Sequence, residues 1–160
     1  MKTLRRILIL IAILSFSAYP SYSATRQVRD TYDIIIAGGG TGGISAAIQA
    51  ARMGRSVLVV EPSTWIGGQA TAAGVSTMDD MSRQKSGIYL EFINRIKMYY
   101  DTRGKSMGTC YWDSRSTAFE PHIGQEALVG LVNDARRLGI LDFLMSSNII
   151  AVSKNGRLIS

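Results

Sequence analysis

Hydrophobic positions fall into runs of two kinds along the chain, and the contrast between them predicts its organisation. The first run, Ile7 to Phe16 (ILILIAILSF), is ten residues long and apolar except for Ser15. It follows a short basic start (Lys2, Arg5, Arg6) and precedes the small and turn-forming residues SAYPSYSA. This is the order of a secretory signal peptide, with cleavage expected after Ser23 or Ala24. A membrane anchor is the competing reading, but crossing the hydrocarbon core takes about 20 apolar residues. No cysteine stands just after the run to carry a lipid. Arg5-Arg6 leaves a twin-arginine route open beside the general one, with Leu4 in place of that pattern's usual polar residue. The expectation is a signal peptide over 1–23 and an exported mature chain with no membrane attachment.

The second kind begins at Tyr32-Asp33-Ile34-Ile35-Ile36-Ala37. An unbroken β-branched run bounded by glycines predicts a strand buried on both faces of a parallel sheet. The stretch ISAAIQAARMG then reads as a small-residue helix ending at Gly54, and SVLVVEP as a second strand ending in Glu61. From Ser86, Tyr89, Phe92, Ile93, Ile96 and Tyr100 recur at helical spacing, with Arg95 and Lys97 directed to solvent. Another helix follows Phe119-Glu120-Pro121-His122, with Ala127, Leu128, Leu131, Ala135 and Leu138 inward and Gly139 as its stop. Ile140 to Met145 predicts a third strand, and Asn148 to Ser153 a fourth. Asn155-Gly156 predicts a hairpin turn into a strand from Arg157. The fold class predicted is α/β: a Rossmann-type domain over 32–160, built on a parallel sheet.

Between the first strand and the first helix stands Gly38-Gly39-Gly40-Thr41-Gly42-Gly43. Gly38, Gly40 and Gly43 satisfy G-x-G-x-x-G in the one context that makes it informative. Gly38 turns the chain, Gly40 admits a pyrophosphate close to the backbone, and Gly43 lets helix and strand pack closely. The helix N-terminus then directs free amides and its dipole at the phosphates. Glu61 lies 18 residues beyond Gly43, near the offset of about 20 at which a carboxylate meets ribose hydroxyls. A solvated strand end is what a lone Glu would mean; strand, glycines, helix, strand and acid in this order make the nucleotide reading the stronger. An acid at this point suits an unphosphorylated adenosine ribose, as in FAD or NAD, and argues against NADP.

Beyond the acid comes a second glycine doublet, in Trp65-Ile66-Gly67-Gly68-Gln69-Ala70-Thr71. With it the chain resembles FAD-dependent oxidoreductases of the class with two dinucleotide-binding domains, and within them exported members carrying a GGQ-x-T segment here. The resemblance is specific over Tyr32 to Val75 and continues more thinly through Phe119-Glu120-Pro121-His122 to the end. It implies FAD as cofactor and hydride transfer between a small organic substrate and the flavin, with an electron acceptor of unknown identity. It also implies cofactor contacts at Gly38, Gly40, Thr41, Gly42, Gly43, Glu61, Gly67, Gly68, Gln69 and Thr71. Compartment points the same way, since an exported enzyme cannot easily recycle a dissociable NAD. The alternatives are an NAD-dependent dehydrogenase using the same fingerprint, and a non-catalytic exported remnant with a vestigial site.

Composition narrows the remaining chemistry. Of the 160 residues 46 % are hydrophobic and 19 % charged, which excludes a disordered tail. The net charge of +6 falls to 15 cations against 12 acids once residues 1–23 are set aside. That scattered surplus gives no footprint for nucleic acid. Cys110 is the single cysteine, so no internal disulfide forms, and without a nameable base it reads as an ordinary thiol. Ala72 to Lys85 reads as a loop over the cofactor whose Asp79-Asp80 pair is solvated, and no metal is expected. Tyr111 and Trp112 read as buried. His122, the single histidine, is a candidate acid/base or cofactor contact, against a locally bonded histidine at a helix start. The chain is also expected to be the N-terminal part of a longer protein, and on its own to fold marginally, bind FAD poorly and lack activity.

Overall fold

In the computed structural model, which describes residues 28–78, 85–109 and 116–159, three parallel strands carry the rest of the chain. The predicted signal peptide, Asp79-Asp80, Cys110, Tyr111 and Trp112 lie outside the described residues. β1 (Ile34–Ala37) leads through α1 (Thr41–Arg52) to β2 (Ser56–Glu61). A 3₁₀ turn (Gly68–Ala70) and β3 (Thr77–Met78) precede α2 (Gly87–Asp101), β4 (Thr117–Ala118) and α3 (Pro121–Ala135). β5 (Ile140–Met145) closes the sheet, and β6 (Lys154–Asn155) and β7 (Leu158–Ile159) form a terminal hairpin.

The sheet order is β1-β2-β5, with Ile36 beside Val59 and Val59 beside Phe143. Side chains alternate across it, so Val57, Val59 and Leu141 share one face and are fully buried. Against that face lie Ile44, Ala47, Ile48 and Ala51 of α1 and Leu131, Val132 and Ala135 of α3. Burial of each Val, Leu or Ile side chain there stabilises the fold by about 1.5–3 kcal/mol. α2 completes the helical layer through Phe92, Ile93, Ile96 and Tyr100, and Phe92 meets Phe119 edge to face at 5.5 Å.

Several expectations are corrected here. β1 is not buried on both faces: Ile35 is 51 % exposed and Ile34 36 %. Among the described strands β1 lies at the sheet edge and β2 in the centre, because β5 docks on the far side of β2. Asn148 to Ser153 forms no strand, and Ile150 stands almost fully exposed. The hairpin pairs Asn155 with Leu158, which moves the turn one residue on, to Gly156-Arg157. Leu138 is exposed because α3 ends at Ala135, three residues short of it. Gly139 serves close packing: a Cβ there would lie 2.2 Å from the Ala51 carbonyl oxygen. Arg95 does not simply face solvent, but crosses from α2 to pair with Asp134 of α3. The short β3–β4 ladder, with Met78 beside Thr117, was not predicted. Two-residue strands carry no hydrophobic period to read.

Candidate functional site

The site grows from the turn after β1. The Gly38 amide donates to the Val60 carbonyl at 2.8 Å, continuing the β1–β2 ladder, and φ of +93° at Gly38 then swings the chain away. Such a φ is open to glycine with little strain. Gly43 earns its place by approach: a Cβ there would stand 2.0 Å from the Gly38 carbonyl oxygen and 3.2 Å from Ile36 Cγ2. α1 therefore starts directly against the end of β1, with small residues at its contact.

Gly40 behaves differently. Its backbone is extended, and a Cβ built on it would meet no atom within 4 Å. A Cβ on Gly42, inside the first turn of α1, would likewise meet no atom within 4 Å. These two glycines border open space above the first turn of α1, the cradle a side chain would begin to fill. The first helical bond runs from the Ile44 amide to the Gly40 carbonyl at 2.8 Å. The amides of Thr41, Gly42 and Gly43 thus have no acceptor within their own helix. Gly40 offers no side chain to cap them, and no acid stands in the first turn. An anion is the complementary ligand for such a terminus.

Glu61, the last residue of β2, turns its carboxylate toward this crevice. Oε2 accepts the Gly39 amide at 2.6 Å and Oε1 accepts the Ser63 amide at 2.8 Å. Partial burial pushes the Glu61 carboxyl up, but bonds from the Ser63 hydroxyl and amide and from the Gly39 amide outweigh it. The net pKa lies below the ordinary glutamate value, so the group is an anion at neutral pH. A carboxylate has about four lone-pair sites. Backbone amides occupy two and the Ser63 hydroxyl bears on a third, which leaves capacity on the carboxylate for a ligand hydroxyl.

The second glycine cluster docks on the first. Gly67, at φ +100°, donates its amide to the Gly39 carbonyl at 2.7 Å. A Cβ on Gly68 would lie 3.0 Å from Gly40 Cα. Sequence spacing alone gave no sign that the two clusters touch. The predicted residues then separate. Thr41, Gly42 and Gln69 are exposed, and Thr41 and Gln69 border a recess of about 320 Å³ with Ser45, Met78, Tyr89 and Phe92. Thr71 is 1 % exposed, and its hydroxyl donates to the Ile66 carbonyl at 2.5 Å. It holds the doublet from beneath instead of facing the crevice. His122 is exposed in the first turn of α3. Gln125, unmarked by any motif, accepts the Ile66 amide on its Oε1 at 3.1 Å. Its signal was a polar residue next to the apolar stripe of α3. Among the described residues no cluster of His, Cys, Asp and Glu suits a metal ion, and no helix is long and apolar enough to cross a membrane.

The family model described as FAD dependent oxidoreductase matches residues 33–160. The chain is 44 % identical over 46 residues to 4-oxocyclohexanecarboxylate 2-dehydrogenase of Sinomonas cyclohexanicum, covering 29 % of this chain and 8 % of the relative. It is 35 % identical over 68 residues to the soluble pyridine nucleotide transhydrogenase of Mycobacterium tuberculosis, covering 42 % of this chain and 14 % of the relative. The matched parts thus span only a small fraction of these curated relatives. Among solved structures, a geranylgeranyl bacteriochlorophyll reductase-like protein from Thermoplasma acidophilum aligns with a TM-score of 0.48 at 18 % identity. That alignment covers 80 % of this chain and 33 % of the other.

Proposed function

Because the chain belongs to the FAD-dependent oxidoreductase family, with FAD as its cofactor, we propose that its two glycine clusters and Glu61 hold the ADP half of FAD. In this reading the Thr41, Gly42 and Gly43 amides take the diphosphate, and Gly40 lets it reach the backbone. Glu61 accepts the hydroxyls of the adenosine ribose, and the Gly67-Gly68 backbone closes the crevice from the other side. The observation that carries the reading is one of direction. The Glu61 carboxylate points at Gly39, beside the open space over Gly40. Both ends of an ADP moiety therefore find complementary groups in a single crevice.

Bound FAD supplies hydride chemistry at its flavin, and the protein's part is to hold and orient it. In the whole protein, hydride passes between a small organic substrate and the flavin, with a separate electron acceptor. Export directed by residues 1–23 belongs to the same proposal. The family assignment favours FAD over a dissociable NAD. His122, exposed and outside the crevice-lining set, is given no part in proton transfer. Fluorescence titration of the chain with FAD, followed by ADP competition, tests the reading. ADP is expected to displace FAD from a weak but saturable site. Binding that ADP leaves untouched contradicts it.

A further inference from the structure

Ile66, the residue before the second glycine doublet, has both of its backbone polar groups held by side chains. The Ile66 amide donates to Gln125 Oε1 at 3.1 Å, and the Ile66 carbonyl accepts the Thr71 hydroxyl at 2.5 Å. The two peptide units flanking Ile66 are thus each held by a side chain, Trp65–Ile66 from α3 and Ile66–Gly67 from the turn after the doublet. The next residue is Gly67, whose amide reaches the Gly39 carbonyl. The fit beneath it has no slack, since a Cβ on Gly67 would lie 2.5 Å from Leu128 Cδ1 and 2.8 Å from Thr71 Oγ1. Gln125 and Leu128 lie three residues apart on α3, on one side of the helix. α3 therefore bears on this loop at two points, one polar and one apolar.

We infer that Gln125 and Thr71 are positioning residues that clamp the backbone on either side of Ile66 and so set the gap between Gly67-Gly68 and Gly39-Gly40. A backbone wall has no side-chain rotamer with which to correct its own position. The approach of Gly68 to Gly40 leaves no room for drift toward the crevice, and the clamp prevents drift away from it. Drift away would widen the space facing the first turn of α1 and weaken the grip on a diphosphate. The Glu61 end, held separately by the Gly39 and Ser63 amides, would keep its hold on a ribose. The purpose of the clamp rests on the nucleotide reading above, while its existence as a local constraint does not.

The test compares the full wild-type chain with Gln125→Leu, Thr71→Val and the conservative Thr71→Ser. Amide hydrogen exchange reads the clamp without any ligand, and NMR titrations with ADP and with adenosine read its purpose. Loss of either hydrogen bond should accelerate exchange at the Gly67 amide roughly fivefold to tenfold in Gln125→Leu and Thr71→Val. Exchange at Val57 to Val60 should stay at the wild-type rate, and Thr71→Ser should restore Gly67. ADP affinity should fall by a similar factor in the two loss variants while adenosine affinity holds. Unchanged exchange at Gly67 in both variants overturns the clamp. Equal weakening of ADP and adenosine, with exchange faster throughout the sheet, overturns positioning in favour of general destabilisation. A wild-type chain that binds neither ligand overturns the nucleotide reading and the purpose assigned here; the exchange arm distinguishes that from failure of the clamp itself.

Discussion

The Glu61 carboxylate and the Gly39 amide meet at 2.6 Å, joining the end of the second strand to the middle of the first glycine cluster. The contact links fold and function, because the same carboxylate that fixes the glycine turn is the acceptor offered to a ribose. Glu61→Gln removes the charge and turns an amide donor toward a backbone donor. One of the two N–H groups now satisfied would lose its acceptor, at a cost of about 1–3 kcal/mol. The expected result is a lower melting temperature together with at least tenfold weaker ADP binding by calorimetry. Unchanged ADP affinity would remove Glu61 from the site.

The pH dependence follows from the direction of the Glu61 shift. Its folded-state pKa lies below the ordinary value. The stabilisation it provides is therefore complete above the unfolded-state value and is lost as pH falls through the lowered folded value. Between pH 7 and 5 the Glu61 contribution to melting temperature should stay flat. Decline should set in as pH enters the ordinary glutamate range and be complete below the lowered folded value, and Glu61→Gln should flatten it. A loss centred near pH 6.5 that survives this substitution would point to another group.

Gly40 and Gly43 make opposite predictions although one motif contains both. Gly43→Ala puts a methyl group 2.0 Å from the Gly38 carbonyl oxygen. It must separate α1 from β1, so severe destabilisation or failure to fold is expected. Gly40→Ala places its methyl group in open space on an extended backbone. Its melting temperature should lie within a few degrees of wild type while ADP affinity falls. Equal destabilisation by both substitutions would refute this division of labour.

Arg52 reaches Glu91 through both terminal nitrogens, at 2.8 and 2.6 Å, and so ties α1 to α2. The pair is partly exposed, with side-chain accessibilities of 22 % and 41 %. Its contribution is therefore at most about 1 kcal/mol. Arg52→Lys keeps the charge but cannot reproduce the two-pronged geometry. Denaturant unfolding should show a small fall in midpoint that shrinks further at high salt. A loss of several kcal/mol would mean that the arginine stem, not the ion pair, is the main support.

What the sequence disclosed and what it concealed divide along physical lines. Gly38, Gly43 and Gly54 could be assigned tasks in advance because each task is local: a turn, a close approach, a helix end. The buried faces of α2 and of α3, Leu138 apart, were equally legible, since a helical period shows which side chains face inward. The exposed edge of β1 was not, because an apolar run implies covered faces without naming the neighbour. The true hairpin register was hidden because Asn155-Gly156 and Gly156-Arg157 both accommodate a two-residue turn. Thr71 read as a cofactor contact from its place in the GGQ-x-T segment, yet tertiary packing spends its hydroxyl on the Ile66 carbonyl. Gln125 carries no motif; only the docking of α3 brings it to the loop 59 residues earlier in the chain.

The central claim, that Gly40 to Gly43, Glu61 and the Gly67-Gly68 backbone surround one ADP moiety, is tested most directly by backbone-amide NMR during titration with ADP. The account predicts saturable shifts at Gly39 to Gly43, at Glu61 and Ser63, and at Gly67 and Gly68, all fitting one dissociation constant. Saturation with shifts confined to other residues, or a folded chain whose glycine amides do not respond, would contradict it.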